Sequence, residues 1–538
     1  MKQILSFVIV LFFLFNVHYA NGQNCGCVAP PQICEKNIVT DFNATTSNAQ
    51  FAFERASQFI NQRGGYVKLI IPSGTYLVGK QNLTPTSSEW LFEGVPVLNL
   101  KACTKVEIVG VGPTRPVLKF FDKMYFGMFD KTCFTPIQTS DQSYSAHVGH
   151  AIKISQNASE INVHNLTLDG NVYNFNFGGT WGAGANPYER EHDGIIVEDA
   201  NHLSFADMEI KNFGRDGILI LDNFNINQTI KTNTININNV VVNASGRNGL
   251  TWGGGHYLYV QNSTFKNSST GFIVTNPGAG VDIEPEWSSN CQYGYFTNCV
   301  IDNNAGYGLS NGGPEIMMTS PTTANVYFSQ STIIGRTNYA GFTGRVVNLN
   351  FDYCNIYGKY QVSHNSDNLV VNNDLATHFR NCYFSDCYNG QQMMIPAADP
   401  QFLIAITAKR TLIDQCTVKS YFYPTYIISP GNVPCPTDAS RPVIQRSNFY
   451  SYLASTPLFS NMAGQASKTL FSVNNFYCKA PVSFLFNINY GQYCNSTDGP
   501  NIEYPLTGNL PLCTASGRIV NSPTLYNYVL TKPADPKK

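Results

Sequence analysis

Residues 192–286 carry one short pattern four times: HDGIIV at 192–197, GRDGILIL at 214–221, GRNGLTW at 246–252 and GAGVDIEPE at 278–286. Each copy places a glycine after a turn and continues with alternating apolar residues. The shared glycines are Gly194, Gly217, Gly249 and Gly280. They lie about 23 to 32 residues apart, which is the length of one coil of a solenoid. The repeat therefore predicts an all-β fold, a right-handed single-stranded parallel β-helix in which this strand recurs on successive coils.

The alternation within each strand predicts which side chains lie inside the coil. The apolar positions are predicted to face the interior, namely Ile218, Ile220, Leu250, Trp252, Val281 and Ile283. The polar positions are predicted to lie outside or in the adjoining turns, namely Asp216, Asn248, Asp282 and Glu284. Because successive coils stack about 4.8 Å apart, acids that are remote in the sequence are expected to form one column.

A second signature places a polar residue before a short strand on each coil. Its members are Asn165, Asp207, Asn239, Asn262 and Asn298. Asn and Asp bond their own backbone and tolerate left-handed geometry. These residues are therefore predicted to occupy bends and to bond from coil to coil.

The start of the mature chain is predicted to form a cap. A helix is expected over residues 47–62, with Ser47 and Gln50 as a capping box and Gly64-Gly65 ending the run. The end of a solenoid exposes its core, so a short N-terminal capping helix, within about residues 45–65, is expected to cover it.

This helix, the Gly-Gly pair and the strand VKLIIPSGTY at 67–76 resemble the opening of proteins in the pectin lyase-like superfamily. The resemblance extends over roughly residues 45–315. That superfamily contains pectate lyases, polygalacturonases, other glycoside hydrolases, alginate epimerases and phage tailspikes. The resemblance implies a parallel β-helix and a polysaccharide partner.

Length and composition agree with a solenoid. A chain of 538 residues would ordinarily suggest several domains, but a solenoid grows by adding coils. No linker with a shift in composition is present, so one β-helix domain is predicted over residues 23–530, followed by a polar tail, 531–538. The net charge of −1 provides no long-range attraction for nucleic acid or an anionic membrane, so neither is an expected partner. The oligomeric state is left open.

The first 22 residues are predicted to be a signal peptide. Lys2 is followed by an apolar run over residues 4–15 and by the small residues Ala20 and Gly22. The run is too short to span a bilayer. A secreted, extracellular protein is therefore expected, and glycosylation sequons agree with it, at Asn43, Asn82, Asn157, Asn165, Asn227, Asn243, Asn262, Asn267 and Asn495.

The 15 cysteines suit an oxidising compartment. Cys25, Cys27 and Cys34 are expected to staple the mature N-terminus, and Cys103 with Cys133 is a candidate bridge. The alternative for cysteines within the coils, such as Cys299 and Cys354, is that they are buried free thiols.

The acidic column suggests hydrolytic chemistry. Asp193 and Asp216 hold the same place on adjacent coils, so one of the two carboxyl groups should have a raised pKa. Asp282 is expected two coils beyond Asp216, at about 10 Å. Glycoside hydrolysis uses two carboxyl groups, roughly 5 Å apart for retention and roughly 6.5–9.5 Å apart for inversion. The column offers a pair for either outcome. The alternative is that Asp193 and Asp216 only shape bends, since Asp before Gly is common turn chemistry.

Several neighbours of these acids are candidate substrate-binding residues. Arg215 and Arg247 occupy matching turns, where they would either hold a carboxylated sugar or neutralise the acids. His256 follows three glycines and is a candidate base or hydroxyl contact, and Trp287 is a candidate for stacking on a sugar ring. The predicted set is completed by Asn248 and Glu286.

The motifs of the resembling families match only in part. Polygalacturonases carry N-T-D, G-D-D, G-H-G and R-I-K blocks; Glu191-His192-Asp193, Arg215-Asp216-Gly217 and Gly254-Gly255-His256 stand near the first three, and the fourth is absent. The block at 280–286, G-V-D-I-E-P-E, is loosely similar to the D-P-H-E block of alginate epimerases. In a calcium-dependent lyase, the oxygens of Asp282, Glu284 and Glu286 would bind Ca²⁺.

These patterns together predict a secreted enzyme that cleaves a polysaccharide, with glycoside hydrolysis as the leading reaction. Asp216 and Asp282 are the predicted acid and base, and Asp193 and Glu284 complete the catalytic set. No metal or cofactor is expected for a hydrolase. A polysaccharide lyase or epimerase of the same superfamily, with Ca²⁺ in the case of a lyase, is the first alternative. A non-catalytic sugar-binding or extracellular matrix protein is the second.

Overall fold

A computed structural model gives the fold of this chain. It describes residues 32–505, except for 180–189, 223–231, 286–288, 313–322, 345, 363–376, 394–401, 407–410, 428–442, 453–458, 461–469, 473, 479–485, 488–493 and 496–501. The predicted signal peptide and polar tail lie outside the described residues, as do Cys25 and Cys27.

The described strands stack into three parallel sheets that form the sides of a coil. Four long strands turn a corner and belong to two sheets each: Asn201–Lys211 and Asn233–Asn243 join the first and second sheets, and Thr332–Thr343 and Asn355–Val362 join the second and third. The other strands of the first sheet are Cys34–Asn37, Gly65–Pro72, Thr104–Val111, Ser159–His164, Gly255–Gln261, Cys291–Thr297, Thr323–Ser329, Val346–Asp352, Thr377–Arg380, Thr411–Asp414, Val443–Gln445, Leu470–Ser472 and Cys494–Asn495. Those of the second sheet are Thr75–Val78, Val117–Phe120, Thr167–Asp169, Thr264–Lys266, Val300–Asp302, Tyr383–Ser385, Thr417–Ser420, Asn448–Ser451, Asn475–Cys478 and Ile502–Pro505. Those of the third sheet are Leu98–Lys101, Gly149–Ser155, His192–Glu198, Ile218–Leu221, Leu250–Trp252, Val281–Ile283, Tyr307–Asn311, Ile404–Ile406, Thr425–Ile427, Phe459–Ser460 and Phe486–Asn487.

Smaller elements lie outside the coils. Five strands form a separate sheet, namely Lys80–Leu83, Phe92–Val95, Tyr125–Met128, Ser145–Ala146 and Asn176–Phe177. The strands Cys387–Tyr388 and Gln391–Gln392 form a hairpin, and Gln142–Tyr144 and Val172–Asn174 are 3₁₀ turns. The predicted parallel β-helix is therefore confirmed, with insertions on its early coils.

The repeated glycines of the third sheet are explained by the distance between coils. Parallel pairing aligns Ile195 with Ile218, Ile218 with Leu250 and Leu250 with Val281. A Cβ on Gly217 would lie 2.7 Å from the carbonyl oxygen of Gly249 and 2.2 Å from a Val242 methyl carbon. No side chain fits there, which explains why the glycine recurs on the four successive coils of Gly194, Gly217, Gly249 and Gly280. All six residues predicted to face the interior belong to the buried core.

The N-terminal helix spans Gln50–Arg63 and packs on the strands Gly65–Pro72 and Leu98–Lys101. It ends at Gly64, which has a φ of 72°, as expected for a left-handed C-cap. The predicted capping box is wrong. Ala49 is the N-cap, and the Gln50 side chain instead accepts a hydrogen bond from the Gly79 backbone N–H at 2.9 Å. Tertiary contact with the first coils has replaced the local cap.

The second sequence signature forms the bend between the first and second sheets. Its five members all have positive φ angles, from 51° to 59°. Asn239 Nδ2 donates to Asp207 Oδ1 at 2.6 Å, and Asn298 Nδ2 donates to Asn262 Oδ1 at 2.8 Å. The predicted coil-to-coil bonding of bend residues is confirmed for these pairs.

The cysteine predictions are confirmed in part. Cys34, Cys103 and Cys133 carry free thiols, so the proposed Cys103–Cys133 bridge is wrong: Cys103 is buried in the core and Cys133 is exposed. Cys299 and Cys354 are buried free thiols, which confirms the alternative given for them. Within the described ranges, no helix combines the length and apolar character needed to cross a membrane.

Candidate active site

One polar column runs along the corner where the chain enters the third sheet. It contains His150, Asp193, Asp216 and Asn248, one from each of four successive coils. Each member from Asp193 onward accepts a hydrogen bond from the backbone of the next coil: Asp216 N to Asp193 Oδ1 at 3.0 Å, Asn248 N to Asp216 Oδ1 at 3.0 Å and Ala279 N to Asn248 Oδ1 at 2.8 Å. Asp193 and Asp216 do occupy the same place on adjacent coils, as predicted. Their carboxylates also fasten one coil to the next.

Asp193 is a fully buried ion. Arg215 donates to both of its oxygens, at 2.8 and 2.6 Å, and His150 Nδ1 lies 2.9 Å from Oδ2. Burial alone would raise the pKa of Asp193, but the charge of Arg215 and the hydrogen bonds from His150 and Arg215 hold that pKa well below its usual range. Repulsion between the carboxylates of Asp193 and Asp216 was predicted to raise one of their pKa values. The pKa of Asp193 is lowered instead, because the Arg215 guanidinium contacts its carboxylate directly.

Asp216 is also fully buried, and both of its oxygens are engaged. Oδ1 accepts from the Asn248 backbone, and Oδ2 accepts from the Thr251 hydroxyl at 3.0 Å and lies 3.4 Å from Arg247 Nη1. This geometry favours the alternative that the Asp216 carboxylate shapes the bend. It leaves little room for a substrate atom at this oxygen.

Asp282 is two coils beyond Asp216, as predicted, but it does not continue the same column. Its register partners are Thr251 on one side and Ser310 on the other. The reason lies in the position relative to the repeated glycine: Asp216 directly precedes Gly217, whereas Asp282 follows Gly280 by two residues. The prediction of a single acidic column is therefore wrong. Two neighbouring columns exist, three residues apart along the strand.

The environment of Asp282 differs from that of the other acids. Its side chain alternates with the core residues Val281 and Ile283 and so faces outward, as predicted, but it is buried there, with 2% exposure. Asn248 Nδ2 donates to its Oδ2 at 3.1 Å and to Thr251 Oγ1 at 3.0 Å. Burial, followed by the negative charge of Glu284, raises the pKa of Asp282 well above its ordinary value. Asp282 is thereby disposed to remain protonated at a pH where other aspartates are ionised.

Glu284 lies two residues further along the chain and is the accessible acid of the group. Its side chain is 32% exposed, and its Oε2 accepts from Arg247 Nη2 at 2.9 Å. Arg247 also donates to the carbonyl oxygen of Asn276 at 3.2 Å. Arg247 and Arg215 thus both pair with carboxylates of this chain, which favours charge neutralisation over the predicted grip on a carboxylated sugar.

The other predicted binding residues are not all brought together. Asn248 is in the site. His256 is the second residue of the strand Gly255–Gln261 in the first sheet, where its ring lies 6.4 Å from those of Tyr257 and Tyr293, so it belongs to a different side of the coil. Glu286 and Trp287 lie outside the described residues.

The sequence reasoning missed a cluster at the N-terminal end of the polar column. His150 bonds Asp193, and its Nε2 lies 3.8 Å from Oε2 of Glu191, whose side chain is 42% exposed. His147 is buried beneath Trp90, with ring centroids 4.2 Å apart, and burial, with the charge of Arg190, lowers the pKa of His147 to about 3. Alignment of the strand GHAIKIS at 149–155 with HDGIIVE one coil later would have found His150.

The side chains of the site bear on metal binding as well. Among the residues that the structure describes, no group of three or more His, Cys, Asp or Glu side chains is arranged to hold a metal ion. The Ca²⁺ set suggested for a lyase includes Glu286, which is not described. Of its other two members, Asp282 has a raised pKa and bonds Asn248, and Glu284 pairs with Arg247.

Comparison with known proteins supports the fold. No protein-family model and no curated protein sequence matches this chain. In structure it is similar to bacteriophage phi29 gene product 12 in its pre-mature form, with 12% identity, a TM-score of 0.53 and coverage of 89% of this chain and 57% of that one. It is also similar to the A-module of the mannuronan C-5 epimerase AlgE4 of Azotobacter vinelandii, with 13% identity, a TM-score of 0.48 and coverage of 88% and 100%. A third similar structure is the endo-xylogalacturonan hydrolase of Aspergillus tubingensis, with 14% identity, a TM-score of 0.38 and coverage of 85% and 97%.

At these identities the similarity shows the fold alone. The chain is a right-handed parallel β-helix, the fold that the sequence predicted. It spans little more than half of the phage protein.

Proposed function

We propose that this protein is a secreted enzyme that cleaves a polysaccharide by glycoside hydrolysis, with Asp282 as the general acid and Glu284 as the base. The observation that carries the proposal is the contrast between these two carboxyl groups on one strand end. Asp282 is buried with a raised pKa, whereas Glu284 is partly exposed and paired with Arg247.

The contrast matches what hydrolysis requires of two carboxyl groups. One must hold a proton and give it to the leaving oxygen, and the other must activate water or attack the sugar. In such enzymes, the acid and the base are usually identified by environments that give the two carboxyl groups different pKa values. Asp282 is suited to donate the proton, and Glu284 is suited to accept one.

Asp282 and Glu284 stand at alternate positions of the chain, where side chains share a face of the sheet. Both carboxyl groups are therefore available to one bound sugar, and we propose that Glu284 activates water, as the base of an inverting enzyme does.

The remaining acids receive supporting roles. Asn248 and Thr251 link Asp282 to Asp216 through hydrogen bonds of 3.0 to 3.1 Å, so Asp216 positions the acid instead of acting as its partner. Asp193 joins its own coil to the following one through Arg215. This assignment revises the predicted Asp216–Asp282 pair.

Secretion and a polysaccharide substrate complete the proposal. The signal-peptide pattern of residues 1–22 supports export. We propose a polysaccharide as the substrate class on the strength of the carboxyl pair.

The test is a panel of polysaccharides incubated with the purified protein and assayed for new reducing ends and for unsaturated products. We expect reducing ends without unsaturated products, and a loss of at least about 100-fold in rate for Asp282→Asn and Glu284→Gln. Glu198→Gln is the matched control, since Glu198 is also on the third sheet, has a 32% exposed side chain and pairs with a cation, Lys153, at 3.0 Å.

Three results would overturn the proposal. Full activity of Asp282→Asn would remove the general acid. Unsaturated products that disappear on chelation would identify a lyase. Binding without turnover by the wild-type protein would identify a sugar-binding protein.

A further inference from the structure

Two tyrosines stand at matching places on adjacent coils of the first sheet. The strand Gly255–Gln261 pairs in parallel with Cys291–Thr297, and the register puts Tyr257 and Tyr293 at the same place on the two strands. Their rings are stacked, with centroids 4.9 Å apart and planes 10° apart. The coil spacing of about 4.8 Å therefore sets the distance between the two rings.

The backbone does not require an aromatic side chain at this place. The register puts Thr234 there on the preceding coil and Asn325 on the following one. All four residues have left-handed backbones: φ is 56° at Thr234, 60° at Tyr257, 64° at Tyr293 and 57° at Asn325. Asn adopts this conformation readily, whereas a bulky residue in it is uncommon. The coil geometry alone therefore does not explain two successive tyrosines.

The stacked pair can be reached from solvent. Tyr257 is 39% exposed, and Tyr293 is partly exposed. The His256 ring lies edge-on to both, with centroids 6.4 Å from each and planes 83° and 88° from theirs. Beside the pair, Tyr259 and Tyr295 form a second stack, with centroids 5.2 Å apart. A phenol that is oxidised at this surface therefore has another phenol next to it.

Neighbouring phenols of this kind are suited to oxidative coupling. Loss of one electron and one proton converts a tyrosine into a phenoxyl radical, whose unpaired electron is shared with the two ring carbons beside the oxygen-bearing carbon. Two such radicals join through a carbon–carbon bond between these positions, and the hydrogens on the joined carbons move to the two oxygens. Because the coil stack holds both rings together, coupling within one molecule is favoured over an encounter between molecules.

We propose that Tyr257 and Tyr293 form a dityrosine cross-link between adjacent coils, made by a haem peroxidase with hydrogen peroxide outside the cell. The two phenols lose two electrons and two protons in all, and one molecule of peroxide accepts them and becomes two molecules of water. The link closes a loop over residues 257–293, so it restricts the unfolded chain and stabilises the stack. The cross-link is independent of the proposed polysaccharide reaction and depends on the proposed secretion only for its oxidant.

The experiment treats the purified protein, at low concentration, with a haem peroxidase and hydrogen peroxide. Dityrosine fluorescence follows the reaction, gel filtration separates links within a molecule from links between molecules, and peptide mass spectrometry identifies the joined residues. Tyr257→Phe and Tyr293→Phe keep each ring and remove the hydroxyl. Tyr353→Phe is the matched control, because Tyr353 is 63% exposed and lies at the bend that follows the strand Val346–Asp352.

We expect dityrosine in monomeric protein, and a joined pair of peptides containing residues 257 and 293, lighter by two hydrogens than the separate peptides together. Either Tyr257→Phe or Tyr293→Phe should lower the yield about tenfold, while Tyr353→Phe leaves it within about twofold. Linked wild-type protein should unfold at a Tm about 3–4 °C above that of the untreated protein. The same treatment should leave the Tm of Tyr293→Phe unchanged.

Several outcomes would contradict the cross-link. They are an absence of dityrosine after treatment, a yield in Tyr257→Phe and Tyr293→Phe equal to that of the wild type, and links that join only separate molecules even at low protein concentration. A peptide pair joining Tyr259 to Tyr295 instead would place the link on the neighbouring stack and overturn the assignment. The cross-link and the polysaccharide reaction can fail separately, because none of these measurements involves a polysaccharide.

Discussion

Replacing Asn248 by alanine should both destabilise the stacking of the coils and remove a hydrogen bond that positions the Asp282 carboxyl. The Asn248 side chain is fully buried and makes three hydrogen bonds: to Thr251 Oγ1 at 3.0 Å, to Asp282 Oδ2 at 3.1 Å and from the Ala279 N–H at 2.8 Å. Each buried bond contributes about 1 kcal/mol, and more where its partner is left unsatisfied. We therefore expect Asn248→Ala to lower the free energy of unfolding by about 3 kcal/mol.

Thermal unfolding measures this loss. An unfolding entropy of about 2.1 cal/mol/K per residue, over roughly 500 residues, converts about 3 kcal/mol into a fall in Tm of about 3 °C. Activity should fall as well, because the amide orients the Asp282 carboxyl. Asn238→Ala is the control, since Asn238 is exposed on the first sheet and accepts a single side-chain bond from Asn262 at 3.0 Å; its cost should stay within about 0.5 kcal/mol.

The reasoning would be refuted by an Asn248→Ala protein whose Tm and rate both match those of Asn238→Ala. Such a result would mean that the hydrogen bonds of the polar column do not stabilise the stacking of the coils. A fall in Tm with full activity would be equally informative, because it would detach Asp282 from the hydrogen bonds that are argued to position it.

Three further predictions follow from the same contacts. Activity should decline as pH rises through the raised pKa of Asp282. The raised pKa also means that Asp282 contributes stability that is fully present below its unfolded-state pKa and is lost as pH rises through its folded-state pKa, and Asp282→Asn should abolish this loss, as measured by Tm against pH. Arg215→Ala should cost about 3–5 kcal/mol by leaving buried Asp193 without its cation, and Arg215→Met with Asp193→Asn should recover part of it in denaturant melts. Glycan mapping by mass spectrometry should find Asn267 unmodified, because its amide donates to Asn243 Oδ1 at 2.6 Å, and should find Asn157, which is exposed, occupied.

The fold was predictable because its determinants are periodic. At Gly194, Gly217 and Gly249 a Cβ would clash with the next coil, so the spacing of these glycines in the sequence equals the length of a coil. The bend asparagines recur for a similar reason, since each needs a left-handed backbone. Features that repeat once per coil can be found without any knowledge of the tertiary contacts.

The site was less predictable because it departs from the period. Asp282 follows its glycine where Asp193 and Asp216 precede theirs, and this offset of three residues moves it into another column. Its burial depends on neighbours from other coils, which no local pattern records. The helix start failed for the same reason: the Gln50 side chain is satisfied by Gly79, far along the chain, and not by Ser47.

The two columns also differ in role: the column of Asp193 and Asp216 stabilises the stack, and the other contains the candidate acid, Asp282. A carboxylate that accepts a backbone N–H from the next coil, as Asp193 and Asp216 do, cannot change protonation without weakening the stack. Asp282 is held instead by the side chain of Asn248, so its protonation can change at smaller cost to the stacking of the coils. A solenoid that carries out acid–base chemistry should therefore place its reactive acid off the column that fastens its coils. In this protein, the residue that breaks the sequence period is the one whose environment is suited to proton transfer.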